Sequence, residues 1–196
     1  EQVMKEKGGP DPVFDVYWSQ KEGHNEFVTA GKKHFKWWWP AENKVKKGLY
    51  MGNGKATSHA CCTFDEDGTA YTGGCNSRIY VWKDRELQKN YRVHDKGFIS
   101  SILWSGGKIY SGGKDNQVII SNPETEEAER TIEMNATIRA IDVSGSKLIV
   151  GLLNGDIVEV NGDDQNRVME SHSKGEAWGL ACLLYTSDAA DEAKWG

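Results

Sequence analysis

Four cysteines and five histidines are the residues of this chain best suited to bind a metal ion or to attack a substrate. Zinc and redox sites commonly use cysteines in CxxC spacing, which no pair of these cysteines has. In a reducing compartment, such cysteines are most simply buried thiols. We therefore expect no metal or redox function from Cys61, Cys62, Cys75 and Cys182.

Lysines form the densest cluster of charge. Residues 31–55 contain seven lysines and one acidic residue, Glu42, so this segment has a formal charge of +6. Because the net charge of the whole chain is −5, the remaining residues together carry −11. Such a segment could bind an acidic partner, although an exposed loop between structural units would have a similar composition. The seven are Lys32, Lys33, Lys36, Lys44, Lys46, Lys47 and Lys55.

The stretch GNGKAT at residues 52–57 is similar to a phosphate-binding loop. The loop template requires glycine where this chain has Leu49, and serine or threonine where it has Ala56. No helix pattern follows to place its N-terminus against a phosphate. No nucleotide site is therefore predicted, and no cofactor or small-molecule substrate is expected.

The composition is that of an ordinary globular protein, with 38% hydrophobic and 27% charged residues. No run of 18 apolar residues is present, so no membrane partner is expected. The start, EQVMKEKGGPDP, has neither an initiator methionine nor the pattern of a secretion signal. We interpret residues 1–12 as an incomplete N-terminal segment and expect a cytoplasmic protein.

An internal repeat organises the rest of the chain. YTGGCNSRIYVW at residues 71–82 is followed 39 positions later by YSGGKDNQVIIS. If Ala30, Gly73, Gly112 and Gly151 are equivalent, the steps between them are 43, 39 and 39 residues. A period near 40 is typical of stacked or radial repeats, among them β-propeller blades.

Each repeat predicts short strands joined by tight turns. Alternating Val, Ile, Tyr and Thr residues are bounded by the turn sequences DEDG (65–68), SGGK (105–108) and SGSK (144–147). The fold class predicted is all-β: an incomplete WD-repeat β-propeller in residues 13–181, with about four blades and the start of a fifth. An open arc of this kind would leave its end blades exposed and prone to association.

Polar residues recur at the places where WD repeats carry a buried hydrogen-bond relay. His94, Ser111 and Asp115 fit these places in the third unit, and Thr72, Trp82 and Asn76 fit in the second. His172 follows His94 by 78 residues, which is two repeats. We interpret these histidines as structural, because buried polar groups require hydrogen-bond partners, and predict no catalytic residue.

Three consecutive tryptophans among the lysines could stack on nucleic-acid bases. Strand alternation instead suggests that Trp38 packs between blades while Trp37 and Trp39 face the other side. Because the protein is acidic overall, nucleic acid is not an expected partner.

Longer strings resemble the echinoderm microtubule-associated protein-like (EMAP-like) family of WD-repeat proteins over about residues 10–181. They include FVTAGKKHFKWWW, KKGLYMGNGKATSHACCTFDEDGTAYTGGCNSRIYVW and HSKGEAWGLA. The resemblance implies paired, atypical propellers that associate with microtubules or tubulin at the cytoskeleton without enzymatic activity. The family's hydrophobic motif and N-terminal coiled coil are not visible in this chain.

The resemblance makes the acidic tails of tubulin a natural target for the lysine cluster. The alternative function is that of a generic WD-repeat adaptor that binds other proteins, for example in a ciliary or ubiquitin-ligase assembly.

The repeat stops abruptly after Ala181. A further strand is due there, but the chain reads CLLYTSDAADEAKWG, of which residues 182–192 resemble a translated sequencing-library adapter. We interpret residues 182–196 as a non-native tail.

Overall fold

The computed structural model of the protein describes residues 11–52 and 56–170. Lys55, His172, the predicted start of a fifth blade and the 182–196 tail lie outside the described residues, as does most of the N-terminal segment. No helix in the described ranges is long and apolar enough to cross a membrane.

The described residues form four antiparallel sheets, each of four strands in chain order. We call these sheets blades I to IV. The strands of blades I and II are β1 (Val13–Trp18), β2 (Phe27–Gly31), β3 (His34–Trp39), β4 (Lys44–Lys47), β5 (His59–Phe64), β6 (Ala70–Gly74), β7 (Arg78–Lys83) and β8 (Glu86–Arg92). The strands of blades III and IV are β9 (Ile99–Ser105), β10 (Lys108–Gly113), β11 (Gln117–Ser121), β12 (Ala128–Glu133), β13 (Ile138–Ser144), β14 (Lys147–Leu152), β15 (Ile157–Asn161) and β16 (Asp164–Met169).

Tight turns close the hairpins where the sequence predicts them. In the β9–β10 turn, Gly106 and Gly107 have φ of 56° and 79°, which glycine adopts without steric cost. In the β5–β6 turn, the Asp65 carboxylate accepts hydrogen bonds from the backbone N–H groups of Asp67 and Thr69. Local turn chemistry therefore sets the hairpin boundaries.

The four blades are arranged in a propeller-like arc. The first strand of each blade lies innermost and packs on the first strand of the next: β1 on β5, β5 on β9 and β9 on β13. These strands line a common cavity of about 360 Å³ that includes Asp15, Cys62 and Asp142. The prediction of an all-β, incomplete WD-type propeller is thus confirmed.

In blades I, II and III, the third strand provides apolar surface that packs against the next blade. Phe35 and Trp37 of β3 pack in one buried cluster with Trp82 of blade II. Ile79 and Val81 of β7 pack with Ile99 and its neighbours in blade III, and Val118 and Ile120 of β11 pack with residues of blade IV. Period-2 alternation within one strand therefore generates each interface between blades.

Two repeat glycines permit these interfaces to close. A Cβ atom on Gly112 would lie 2.3 Å from Ile138 Cγ2 of blade IV, and one on Gly73 would lie 2.7 Å from Ile99 Cγ2 of blade III. Real Cβ atoms essentially never approach this closely. Glycine is therefore required here for close approach between strands.

We expect Gly112→Ala to lower the free energy of unfolding by about 1–3 kcal/mol, because blade IV must shift to admit the methyl group. Chemical denaturation would measure the loss. Gly162→Ala is the control: no atom lies within 4 Å of its added Cβ, so only the strain of φ +58° applies. A Gly112→Ala variant no less stable than Gly162→Ala would contradict the close-approach explanation.

Blade I has one covered face and one exposed face. On the exposed face, Val16 and Trp18 are 56% and 50% accessible, and Phe27 stacks on Trp38 with ring centroids 5.5 Å apart. The opposite face carries Phe35 and Trp37, which are buried against blade II. In blades II to IV, the corresponding face is covered by the preceding blade. In blade I, this face is an exposed aromatic surface.

Candidate protein-binding surface

In blade III, three predicted relay residues come together. His94 is buried; its Nε2 atom lies 2.9 Å from Ser111 Oγ, and its Nδ1 atom lies 3.0 Å from both carboxylate oxygens of Asp115. Burial lowers the pKa of His94, and the neighbouring Asp115 carboxylate partly opposes that shift. The ring nitrogens are thus engaged inside the protein rather than facing a substrate.

In blade II, Thr72 and Trp82 are hydrogen-bonded as the WD pattern suggests, with Trp82 Nε1 donating to Thr72 Oγ1 at 3.0 Å. The third member is His59, whose Nδ1 atom lies 2.9 Å from Thr72 Oγ1 and whose Nε2 atom lies 2.8 Å from the Tyr50 hydroxyl. Burial lowers the pKa of His59 to about 3. This histidine is therefore neutral.

His59 does not stand out in the sequence because its spacing differs from that of blade III. It precedes Thr72 by 13 residues, whereas His94 precedes Ser111 by 17. Asn76, which the repeat places in the aspartate position, instead donates from Nδ2 to the Tyr80 hydroxyl at 2.8 Å. The predicted equivalence of Asn76 to the relay aspartate is corrected accordingly: Asn76 bonds to Tyr80, whereas Asp115 bonds to His94.

Blade I contains a further hydrogen-bond set that the sequence does not reveal. Thr29 Oγ1 accepts a hydrogen bond from Trp38 Nε1 at 2.9 Å and lies 2.7 Å from His34 Nε2. The expectation that Trp38 packs between blades is wrong. The β2–β3 register pairs Trp38 with Phe27 and Trp37 with Val28, so Trp37 faces blade II and Trp38 faces outward.

Three of the four cysteines lie within the residues that the structure describes. The residues that the structure describes contain no group of three His, Cys, Asp or Glu side chains able to hold a metal ion. Cys61 and Cys62 are buried, which raises the pKa of both thiols. Cys75 is exposed rather than buried as expected, because it lies in the turn between β6 and β7.

Four of the predicted lysines lie together on the outer two strands of blade I. Strand pairing sets Lys36 opposite Lys47, Trp37 opposite Lys46, and Trp39 opposite Lys44. Lys36 and Lys47 therefore project from the exposed face of the blade, and Lys44 and Lys46 project toward blade II. We call Lys36, Lys44, Lys46 and Lys47 the basic edge.

Lys44, Lys46 and Lys47 of the basic edge are exposed, and Lys36 is half-buried. Lys44 Nζ lies 3.2 Å from the Glu42 carboxylate and 4.8 Å from the ring centroid of Trp39. Lys36 Nζ lies 5.9 Å from the ring centroid of Trp38. The β4 sequence KVKK contains no acid, whereas the outermost strands ELQKNYR, AERTIE and DQNRVM of the other blades contain acidic residues.

Lys32 and Lys33 are separate from the basic edge. Both lie in the β2–β3 turn, where Lys32 Nζ is 3.9 Å from Asp11 and the Lys33 backbone N–H bonds to Ser58 Oγ at 3.1 Å. The continuous lysine segment of the sequence is thus divided between a turn and a strand edge.

The sequence is similar to those of known WD-repeat and microtubule-associated proteins. The chain is 49% identical over 183 residues to the ciliary WD repeat-containing protein ctxp80 of Euplotoides octocarinatus, which covers 92% of this chain and 26% of that protein. It is 28% identical over 193 residues to the 77 kDa echinoderm microtubule-associated protein of Lytechinus variegatus, covering 91% of this chain and 28% of that protein. This chain therefore spans about a quarter of the length of these relatives.

Two further comparisons concern the fold and the family profile. This chain is similar in structure to the crystal structure of the computationally designed Ika4 protein, with a TM-score of 0.69 and 13% sequence identity. The match covers 82% of this chain and 98% of the Ika4 chain. That likeness supports the propeller fold alone. No protein-family model matches the sequence. The relatives confirm the resemblance read from the sequence: this chain is a WD-repeat β-propeller protein related to the echinoderm microtubule-associated proteins.

Proposed function

We propose that this protein is a non-enzymatic WD-repeat scaffold that associates with microtubules or tubulin at the cytoskeleton in the cytoplasm. The observation that carries the proposal is its similarity, along 91% of this chain, to a protein named for microtubule association. The buried relays of blades II and III support a non-enzymatic function, because their polar atoms bond to one another inside the blades.

The basic edge is the proposed contact with the acidic partner. Its lysines project from a rigid pair of hydrogen-bonded strands, so a partner meets positive charge at fixed spacing. The edge carries four lysines and the adjoining helical turn one acid, Glu42. Long-range attraction of this kind accelerates association and is screened over about 8 Å at physiological ionic strength.

A second candidate function is that of an adaptor in a ciliary assembly. It is favoured by the 49% identity to a relative named as a ciliary WD repeat-containing protein. In this alternative, the blades bind other ciliary proteins, and tubulin affinity is not required.

Co-pelleting with polymerised microtubules tests the first function. We expect the chain to sediment with microtubules, and Lys46→Glu combined with Lys47→Glu to weaken binding about tenfold, since two exposed positive charges become negative. Binding should also weaken as salt is raised.

The matched control reverses the charge of two exposed lysines near blade III. Lys96→Glu combined with Lys114→Glu makes the same change in net charge away from the basic edge and should retain most of the binding. Equal losses in the two double variants would show that net charge, not the edge, governs binding. Absence of sedimentation at low salt would favour the ciliary adaptor.

A further inference from the structure

A cleft of about 600 Å³ separates the outer parts of blades I and II. The β1–β2 loop, the outer strands of blade I and the β7–β8 turn of blade II surround it. Trp37 lines its buried part, and its walls include Glu26, Trp39, Lys44, Lys46 and Arg85. The cleft thus combines an indole surface with cations contributed by two blades.

Most acidic groups of the cleft already have partners. Glu42 pairs with Lys44 at 3.2 Å, and Glu26 lies 3.6 Å from His24 Nδ1. Lys46 makes no ion pair with any residue that the structure describes. Arg85 donates from Nη1 to the Lys47 carbonyl at 3.4 Å, which leaves other guanidinium N–H groups available. Among the described residues that line the cleft, Lys46 and Arg85 are therefore the cations for which the structure shows no carboxylate partner.

Arg85 occupies a position of the β7–β8 turn at which glycine is usually preferred. Asp84 and Arg85 have φ of 49° and 72°, close to the 56° and 79° of Gly106 and Gly107 in the β9–β10 turn. Glycine is preferred at both positions of such a turn because a Cβ atom is strained there. Strained residues of this kind cluster at functional sites.

We propose that this cleft binds an acidic peptide, with a side-chain carboxylate held between Lys46 and Arg85 and an adjacent apolar side chain packed on Trp39. Both cations favour a carboxylate, and arginine binds one with two parallel hydrogen bonds. Consecutive residues of a peptide supply the carboxylate and the apolar group together. The inference rests on the proposed function, since it names the kind of partner segment that blades I and II recognise.

Asp84 allows a test of whether the cleft prefers an acidic or a cationic ligand. Asp84 also lines the cleft. Its negative charge would repel an acidic ligand, so we expect the bound carboxylate to lie nearer to Lys46 and Arg85. Asp84→Asn should therefore tighten binding of an acidic peptide. A cationic ligand would show the opposite effect.

Titration of the chain with a short glutamate peptide containing one central phenylalanine, followed by calorimetry and tryptophan fluorescence, tests the site. We expect Lys46→Glu to weaken binding about tenfold, the value of one charged hydrogen bond. Arg85→Gly should also weaken binding while the midpoint of thermal unfolding stays unchanged or rises, because glycine relieves the turn. Lys114→Glu is the control and should bind as the unmodified chain does.

Equal affinity of the unmodified, Lys46→Glu and Arg85→Gly chains would overturn the inference, as would weaker binding by Asp84→Asn. A lysine peptide of the same length that binds equally well would do so too. The two proposals can fail separately. Microtubule sedimentation without peptide binding rejects the cleft, and peptide binding without sedimentation rejects the microtubule function.

Discussion

Replacing Trp82 with alanine should lower the free energy of unfolding by about 3–5 kcal/mol, the usual cost of deleting a buried tryptophan. Trp82 is fully buried between blades I and II. Its ring centroid lies 4.8 Å from that of Phe35 and 5.1 Å from that of Tyr50, and its Nε1 atom bonds to Thr72. The substitution therefore removes apolar contact between two blades and a buried hydrogen bond together.

Urea denaturation of three variants would separate these contributions. Trp82→Phe keeps an aromatic ring but lacks the donor to Thr72, so it should lose less stability than Trp82→Ala. Trp18→Ala is the control. Because Trp18 is 50% exposed, its replacement should lower the free energy of unfolding much less. Similar losses for Trp82→Ala and Trp18→Ala would mean that the interface between blades I and II does not support the fold.

Acidification from pH 7 to pH 5 should remove about 2 kcal/mol of stability through His59 alone. Burial lowers the pKa of His59 from 6.5 to about 3 in the folded protein. At pH values between these two pKa values, His59 binds a proton in the unfolded chain but not in the folded chain. The contribution is complete above pH 6.5 and is lost as the pH falls toward 3. His94 acts in the same direction, because its pKa is also lowered.

The free energy of unfolding measured by urea at several pH values tests this linkage. His59→Gln retains a donor and an acceptor but does not titrate, so its stability should vary less with pH between 7 and 5 than that of the unmodified chain. The difference in slope should approach 1.4 kcal/mol per pH unit, which corresponds to one proton. Parallel pH profiles would show that His59 is protonated inside the folded blade.

Patterns among neighbouring residues predicted the turns and strands correctly. The turns at 65–68, 105–108 and 144–147 depend on residues adjacent in the chain, and the structure has them where they were predicted. Alternation likewise indicated strands, since it reflects the geometry of a single strand. The relation between Thr72 and Trp82 could also be inferred, because both lie in one hairpin.

Contacts that depend on strand register could not be inferred in the same way. A shift of one residue exchanges the two faces of a strand, and nothing local to the WWW sequence fixes that shift. Pairing with β2 decided that Trp37, rather than Trp38, is buried against blade II. His59 was missed for a related reason, since it enters the relay from within β5, whereas His94 does so from the segment before β9.

The amino-acid sequence by itself determined the repeat, the all-β class, the relation to microtubule-associated proteins and the concentration of lysine in one segment. The repeat, the class and the lysine cluster depend on composition or on spacing along the chain, whereas the relation to microtubule-associated proteins depends on resemblance to that family. Only the tertiary structure decided that four lysines share a strand edge, that Lys32 and Lys33 lie elsewhere, and that Arg85 of blade II and Lys46 of blade I line one cleft. The physical reason is that these relations join residues of different strands and blades, whose positions are set by packing between sheets rather than by neighbours in the chain.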